Sequence, residues 1–385
     1  MKVLHVAPSI EQSYGGPTQS LAGYAVASRT AGIDVSIAAP RCGPEDVDAF
    51  TNTAGSVDLR LFPSFGAGGF ATSAPLVRWV KQAAANYDVV HVHGLFNPTS
   101  SFSAATAITA NAPTVIRPFG TLSRYTFEHR RTALKSVWFN RVERQNLRSA
   151  RAIHFTTDRE LEEAAWHGLD FSGRSHVIPP PSLDERLLES REPRSDDGIV
   201  LFIGRLNPIK NLEALIDAWP IVRSRASDLL LEIVGDGDPA YVSKLRQRVQ
   251  RNGTDSSVVF RGFLGGENKQ RALSRARMFV LPSHHENFGI AALEAVSAGL
   301  PVILSRHVQL ADFVERERLG RITDGSPPAL AESILTVARD DSLIESVWSR
   351  GPQVVSANFS PAAIGQLLSQ MYLAATEPSA YSASI

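Results

Sequence analysis

Short apolar runs separated by helical stretches recur along this chain, and the rhythm stops once and starts again. KVLHVAP, DVSIAAP, DLRLF, DVVHVHG, PTVIRP and AIHFTT make the first series. Several are apolar at nearly every position, as parallel strands covered on both faces are. Between them lie helices; TQSLAGYAVASRTAG ends at Gly32, the usual glycine stop signal. Strands alternating with helices build a doubly wound α/β layer. The stretch VIPPPSLDERLLESREPRSDDG, from Val177 to Gly198, breaks the rhythm with proline and charge. It then resumes in GIVLFIGRL, LLLEIVGDG, SVVFRGFL, MFVLPS and LPVILS.

The expected fold class is therefore α/β, with two Rossmann-like parallel-sheet domains. They cover residues 1–180 and 199–359, joined by a linker over 181–198. Ser360-Pro361 starts a helix, a cap followed by proline, which runs over 360–377 and is free to cross back to the first domain. Residues 378–385 are small and polar and read as a disordered tail. Two such lobes would face each other across a cleft, and ligands in such sheets bind beyond the carboxyl ends of the strands.

Composition narrows the setting. A chain of 385 residues is too long for one ordinary core. With 39 basic and 39 acidic residues the formal net charge is zero, so nothing overall calls for nucleic acid. The one cysteine, Cys42, excludes a disulfide framework and a multi-cysteine metal site, and fits a reducing compartment. MKVLHVAP reaches a proline before a signal peptide could form, and no stretch offers the ~18 apolar residues of a membrane span. A cytoplasmic setting is expected, with peripheral contact at the inner face of a membrane left open.

Three stretches carry chemistry. In HENFGIAALEAVSAGLPVI, the residues after Gly289 read as a helix apolar all round, hence buried. Glu294 stands inside it, and a buried carboxylate without a partner costs several kcal/mol. Glu286 precedes it in the loop, and Asn287, Phe288 and Gly289 open the helix, whose first turn offers free N–H groups and partial positive charge. Carboxylates only accept, so Glu294 and Glu286 near one ligand would suit a polyol. In FIGRLNPIKN, Arg205 and Lys210 follow a strand ending at Gly204; two cations there suit a diphosphate. In SIEQSYGGPTQS, Gly15 and Gly16 let the backbone approach a ligand, or form a plain turn.

Together these stretches resemble the retaining glycosyltransferases of family 4, which have the two-lobed GT-B fold. The most specific part is Glu286 and Glu294 inside HENFGIAALEA; GRLNPIKN, YGGP and VVFRGFL match further family patterns. The resemblance implies that Glu294 holds the ribose hydroxyls of a nucleotide sugar, so that its partner is a ligand and not protein. It puts Glu286 on the transferred hexose, helped by amides at Asn287, Phe288 and Gly289. Arg205 and Lys210 would neutralise the departing diphosphate, Gly16 would approach it from the other lobe, and Phe263 would border the base or serve as core. No cofactor and no metal are implied. Many members carry a histidine in the loop after the strand written here as PTVIRPFGTL, where this chain has Phe119. His93 is then the nearest candidate to orient sugar or acceptor. His91 and His93 are expected on opposite faces of their strand, with His91 structural.

PSFGAGGFATSAP, Pro63 to Pro75, is a flexible loop or a lid. GDGDP is a turn at a strand end and lacks the glycine spacing of a dinucleotide fingerprint. The stretch 124–151 carries eight basic and two acidic residues around Trp138 and Phe139. It would contact an anionic membrane, or turn its aromatics inward and its charges to water. The expected function is transfer of a hexose from a nucleotide diphosphate sugar, UDP favoured over GDP, to a hydroxyl of a glycan or lipid-linked acceptor in surface polysaccharide or glycolipid synthesis. The alternatives are an epimerase or hydrolase of nucleotide sugars on the same fold, and a non-catalytic nucleotide-sugar-binding protein.

Overall fold

Every apolar run of the two series forms a strand in the computed structural model, which describes residues 1–66, 71–128, 132–183 and 197–377. In the first half these are β1 (Lys2–Val6), β2 (Asp34–Pro40), β3 (Asp58–Phe62), β4 (Val89–His93), β5 (Thr114–Arg117), β6 (Ala152–Phe155) and β7 (Ser175–Val177). They pair in parallel in the order β3-β2-β1-β4-β5-β6-β7. In the second half β8 (Ile199–Ile203), β9 (Leu230–Val234), β10 (Val258–Gly262), β11 (Ala276–Leu281), β12 (Val302–Ser305) and β13 (Gly320–Thr323) pair in the order β10-β9-β8-β11-β12-β13. Both sheets reverse their winding beside their first strand, at β1/β4 and at β8/β11. Such a switch point opens a crevice at the strand ends. Sequence reasoning did not find β7 and β13. Both are short and only partly buried, so neither has a continuous apolar run.

The chain divides into two compact units, Met1–Pro181 with Phe359–Ile385, and Ser182–Asn358. The last helix, Pro361–Thr376, therefore belongs to the first unit. It lies against the first helix, Gly16–Thr30, so closely that a Cβ on Gly365 would fall 2.3 Å from the Ala27 carbonyl oxygen. Its buried residues Ile364, Leu368, Met371 and Tyr372 join Val3, Val89, Val115 and Ala152 from one face of the first sheet. The other face packs a separate cluster around Leu4, Val90, Ile116 and Ile153. Alternate residues of each strand thus enter opposite cores, as a period of two requires.

Among its described residues, the stretch 124–151 is helical over Arg124–Glu128, Thr132–Trp138, a π-helical turn Phe139–Glu143 and Arg144–Ser149. Phe139 is buried, and Trp138 donates its ring N–H to the buried Glu143 carboxylate at 2.9 Å. The aromatics turn inward, while Leu134 and Val137 remain 61% and 58% exposed. Arg130 and Arg131 lie outside the described residues, as do most of the linker, part of the 63–75 loop and the 378–385 tail. The described ends of that loop pair as an antiparallel bridge, Phe65 with Thr72. Among the described residues no helix is long and apolar enough to cross a membrane.

Candidate active site

At the carboxyl end of β8 the backbone turns tightly. Gly235 has φ 136°, and a Cβ there would lie 1.9 Å from the Gly204 carbonyl oxygen. Only glycine lets the ends of β8 and β9 come so close. Gly204 is followed by exposed Arg205, then by the short 3-10 turn Pro208–Lys210, which Asn207 caps through the Ile209 N–H. That turn carries Lys210 back over the strand end, its stem 3.8 Å from the Cβ position of Gly204. There its ammonium pairs with the carboxylate of Glu286, from the loop after β11. The Glu286 backbone is fixed on both sides: its N–H donates to the His307 carbonyl and its carbonyl accepts from Gln309 N–H, both at 3.1 Å. Lys210 and Glu286 are thus held at the β8/β11 switch point of the second sheet.

Glu294 requires a correction. Its carboxylate is paired with protein: Lys269, from helix Gly266–Arg275, places its ammonium on it. The helix Ile290–Ser297 is also not buried all round. Ala292, Leu293, Ala295, Val296 and Ser297 are buried, whereas Ile290, Ala291 and Glu294 share a partly open face. Positions three and four apart align on a helix, so Glu294 escapes full burial although its sequence neighbours are core. Both partners keep some access to water, at 18% and 16% side-chain exposure. Gly289 precedes this helix at φ 105°, a backbone that other residues rarely adopt. Phe288 is buried, so what it can offer a ligand is its backbone. Phe263, just beyond β10, is 66% exposed and is not core.

In the first unit Gly15 takes φ 75° and Gly16 begins the first helix, so the turn after β1 needs its first glycine for backbone reasons alone. His91 and His93 lie on the same face of β4, not on opposite faces, because residues two apart in a strand point the same way. Their rings stack at 4.2 Å between centroids. His5, the register partner of His91 on β1, joins them, its Nδ1 2.9 Å from His93 Nε2. His154 of β6 and Tyr372 of the last helix complete the cluster, and all five side chains are buried. His5, His91 and His93 have ligand atoms within 4.8 Å of one another, a set able to hold a metal ion. His5 Nδ1 meets His93 Nε2, while the two ring nitrogens of His91 meet Tyr372 and His154.

Burial governs the charge of this cluster. Removal from water, reinforced by the nearby Arg117 cation, pushes His5 down to about 3. Burial, then the neighbouring rings and Arg117, hold His91 and His93 well below the usual histidine range; His154 is likewise lowered by burial and by Arg117. Arg117 is itself buried. It stacks between Tyr24 and Phe119, at 4.5 and 4.0 Å, and donates to Ser20 and Thr156 at 3.2 Å each. Phe119 stands at φ 59°, unusual for a bulky residue, with the Gly120 N–H donating to buried Glu160 at 2.5 Å. The loop after β4 is held in the same manner, Phe96 N–H donating to Glu143 at 2.7 Å. Burial raises the Glu143 carboxyl.

Sequence reasoning missed Lys269, Arg117, Glu160 and Tyr372. PTVIRP shows Arg117 at a strand end, a usable signal; the other three owe their place to contacts across 25 or more positions.

The architecture is that of the two-domain GT-B fold. Anabaena HepE, solved in complex with UDP and glucose, superposes at a TM-score of 0.73 over 96% of this chain and 98% of its own, at 20% identity. Residues 15–181 match the family description "Glycosyl transferase 4-like domain", and residues 197–340 match "Glycosyl transferases group 1". The chain belongs to this glycosyltransferase family, of the family 4 type. It is similar to D-inositol 3-phosphate glycosyltransferase of Jonesia denitrificans, 27% identical over 57% of this chain and 55% of that protein. It is also similar to the GDP-mannose-dependent alpha-(1-6)-phosphatidylinositol dimannoside mannosyltransferase of Mycobacterium tuberculosis, 30% identical over 36% of this chain and 35% of that protein. The chain thus spans less than two thirds of the length of these curated relatives.

Proposed function

We propose that the chain is a retaining hexosyltransferase that uses a nucleotide diphosphate sugar and a hydroxyl acceptor on a glycan or lipid-linked saccharide. The observation that carries the reading is the meeting of Lys210 with Glu286, 76 positions apart, at the switch point of the second sheet. One side chain suits a phosphate, the other a sugar hydroxyl. Arg205 and Lys210 stabilise the charge that builds on the leaving diphosphate. Glu286 and the backbone at Asn287, Phe288 and Gly289 hold the hexose. Glu294 takes the ribose hydroxyls, Phe263 borders the base, and Gly15 with Gly16 admits the phosphate. His93 orients the sugar or the acceptor. The leaving phosphate takes the acceptor's proton on the same face, without a metal or other cofactor.

UDP is favoured as the nucleotide, in line with the UDP complex of the similar HepE structure, and GDP is the alternative, as in the mannosyltransferase relative. The acceptor is a surface polysaccharide or glycolipid precursor, met in the cytoplasm. Exposed Leu134 and Val137 beside Lys135 and Arg141 support peripheral contact with an anionic membrane.

The test is nucleotide release from UDP- and GDP-hexoses, with and without candidate acceptors. Release that requires acceptor, with the anomeric configuration kept in the product, is expected. Release or interconversion without acceptor indicates a hydrolase or epimerase, and tight binding without turnover a non-catalytic binder; each rejects the reading. Sedimentation with phosphatidylglycerol vesicles tests the membrane contact, which Leu134→Ser with Val137→Ser is expected to weaken.

A further inference from the structure

The buried histidines form a chain of hydrogen bonds whose direction is set at one end. The Ile178 carbonyl can only accept, and His154 Nε2 lies 2.7 Å from it, so His154 carries its proton on Nε2. His154 Nδ1 is then an acceptor, and His91 Nε2, at 3.3 Å, must donate to it. A neutral imidazole has one N–H, so His91 Nδ1 accepts in turn. Its donor is the Tyr372 hydroxyl at 2.9 Å. That hydroxyl has spent its one proton, so it accepts from His5 Nε2 at 3.5 Å. His5 Nδ1 is therefore bare, and His93 Nε2 donates to it across 2.9 Å. The chain ends at His93 Nδ1, which is buried and has no hydrogen-bond partner among the described residues. The opposite direction would leave a buried N–H there, a costlier orphan than a bare acceptor.

From this geometry we infer that Tyr372 is a positioning residue: through the histidine chain it fixes His93 as the Nε2–H tautomer, leaving Nδ1 as a hydrogen-bond acceptor for a ligand hydroxyl. The second half of that inference rests on the proposed role of His93 in transfer. The arrangement is consistent with its surroundings. Every ring is neutral, because each is buried and Arg117 already places one cation beside them. The His93 carbonyl is pinned by the Ser100 hydroxyl at 2.8 Å, which fixes the backbone from which the ring hangs. Tyr372 comes from the carboxy-terminal helix, so the last elements of the chain decide which nitrogen of a residue on β4 is protonated.

The full chain contains ten histidines, few enough for imidazole 15N spectra of histidine-labelled protein. The ligand-free protein is expected to show His93 protonated on Nε2 only. In Tyr372→Phe, which keeps the ring and loses the hydroxyl, His93 is expected to become a mixture of tautomers. With donor and acceptor supplied, this variant is expected to lose about tenfold in kcat, the scale of one hydrogen bond, with the KM for the nucleotide sugar unchanged. His93 protonated on Nδ1 in the parent, or a pattern indifferent to Tyr372→Phe, overturns the relay. A pattern that appears only after treatment with a chelator also overturns it, because His5, His91 and His93 would then be metal ligands. Parental transfer by His93→Ala, with the tautomer pattern as expected, overturns the role of His93 in transfer and leaves the relay standing.

Discussion

The Tyr372 hydroxyl lies 2.9 Å from His91 Nδ1, although 281 positions separate the two residues. The last helix reaches this point because Gly365 lets it press against Ala27 of the first helix. A phenol is thereby buried under a strand whose His91 Nδ1 would otherwise lack a donor. Sequence alone gives these residues no mutual signal, since both stretches read as ordinary core.

That close approach is open to a direct test. Gly365→Ala places a methyl group where only 2.3 Å separates it from a backbone oxygen, which cannot give way as a side-chain tip can. A loss of roughly 1–3 kcal/mol of stability is expected, the usual scale of overpacking. Denaturant unfolding measures it, and an unchanged midpoint would mean that the helices are not so closely packed.

The Lys210–Glu286 pair predicts a division of labour. Lys210→Ala is expected to lower kcat by ~10²–10³ through lost stabilisation of the leaving phosphate. Glu286→Gln is expected to depress turnover as well and to blur the choice of hexose, because an amide donates where the carboxylate only accepts. Steady-state kinetics with several nucleotide sugars decides. Two variants that turn over at the parental rate would remove the pair from the reaction.

Lys269 and Glu294 predict a separation of stability from binding. Lys269→Met takes the ammonium away from a largely buried carboxylate and is expected to cost roughly 1–3 kcal/mol. Adding Glu294→Gln removes the charge itself and should restore much of the stability. It should not restore nucleotide binding, if Glu294 takes the ribose. Calorimetric titration with UDP and GDP alongside unfolding curves reads both quantities. A double variant that binds like the parent would show the pair to be purely structural.

The histidine cluster predicts acid sensitivity of a definite sign. His5 is held near pKa 3 in the folded chain, against 6.5 unfolded. Between these values the unfolded state binds a proton that the folded state refuses, so stability falls as pH falls from about 6.5 toward 3. His91, His93 and His154 shift in the same direction and steepen the loss. Each full proton of difference is worth about 1.4 kcal/mol per pH unit. Unfolding midpoints measured from pH 7 to pH 5 should therefore drop, and His5→Asn should flatten the slope. A midpoint that holds steady over that range would mean the cluster is hydrated or already charged.

Much of the fold is legible in the sequence because it rests on local periodicity. The apolar runs from KVLHV to PVILS, the break after Val177 and the glycine at position 32 follow from what neighbouring side chains can bury. Such a signal needs no knowledge of distant parts of the chain. It failed for β7 and β13, whose places are held by sheet pairing and not by apolar content. The residue types around β8 and β11 were equally plain, since Arg205, Lys210, Glu286 and Glu294 stand at strand ends and helix starts. Only the tertiary structure decided their partners. Lys269 reaches Glu294 because the helix Gly266–Arg275 packs nearby, and Lys210 reaches Glu286 because β8 and β11 are neighbours despite the strands between them in sequence. Burial likewise made four histidines neutral, and the Ile178 carbonyl gave their hydrogen bonds a direction. Periodicity is a property of adjacent residues, whereas charge pairing and proton placement depend on who is brought within about 3 Å in space.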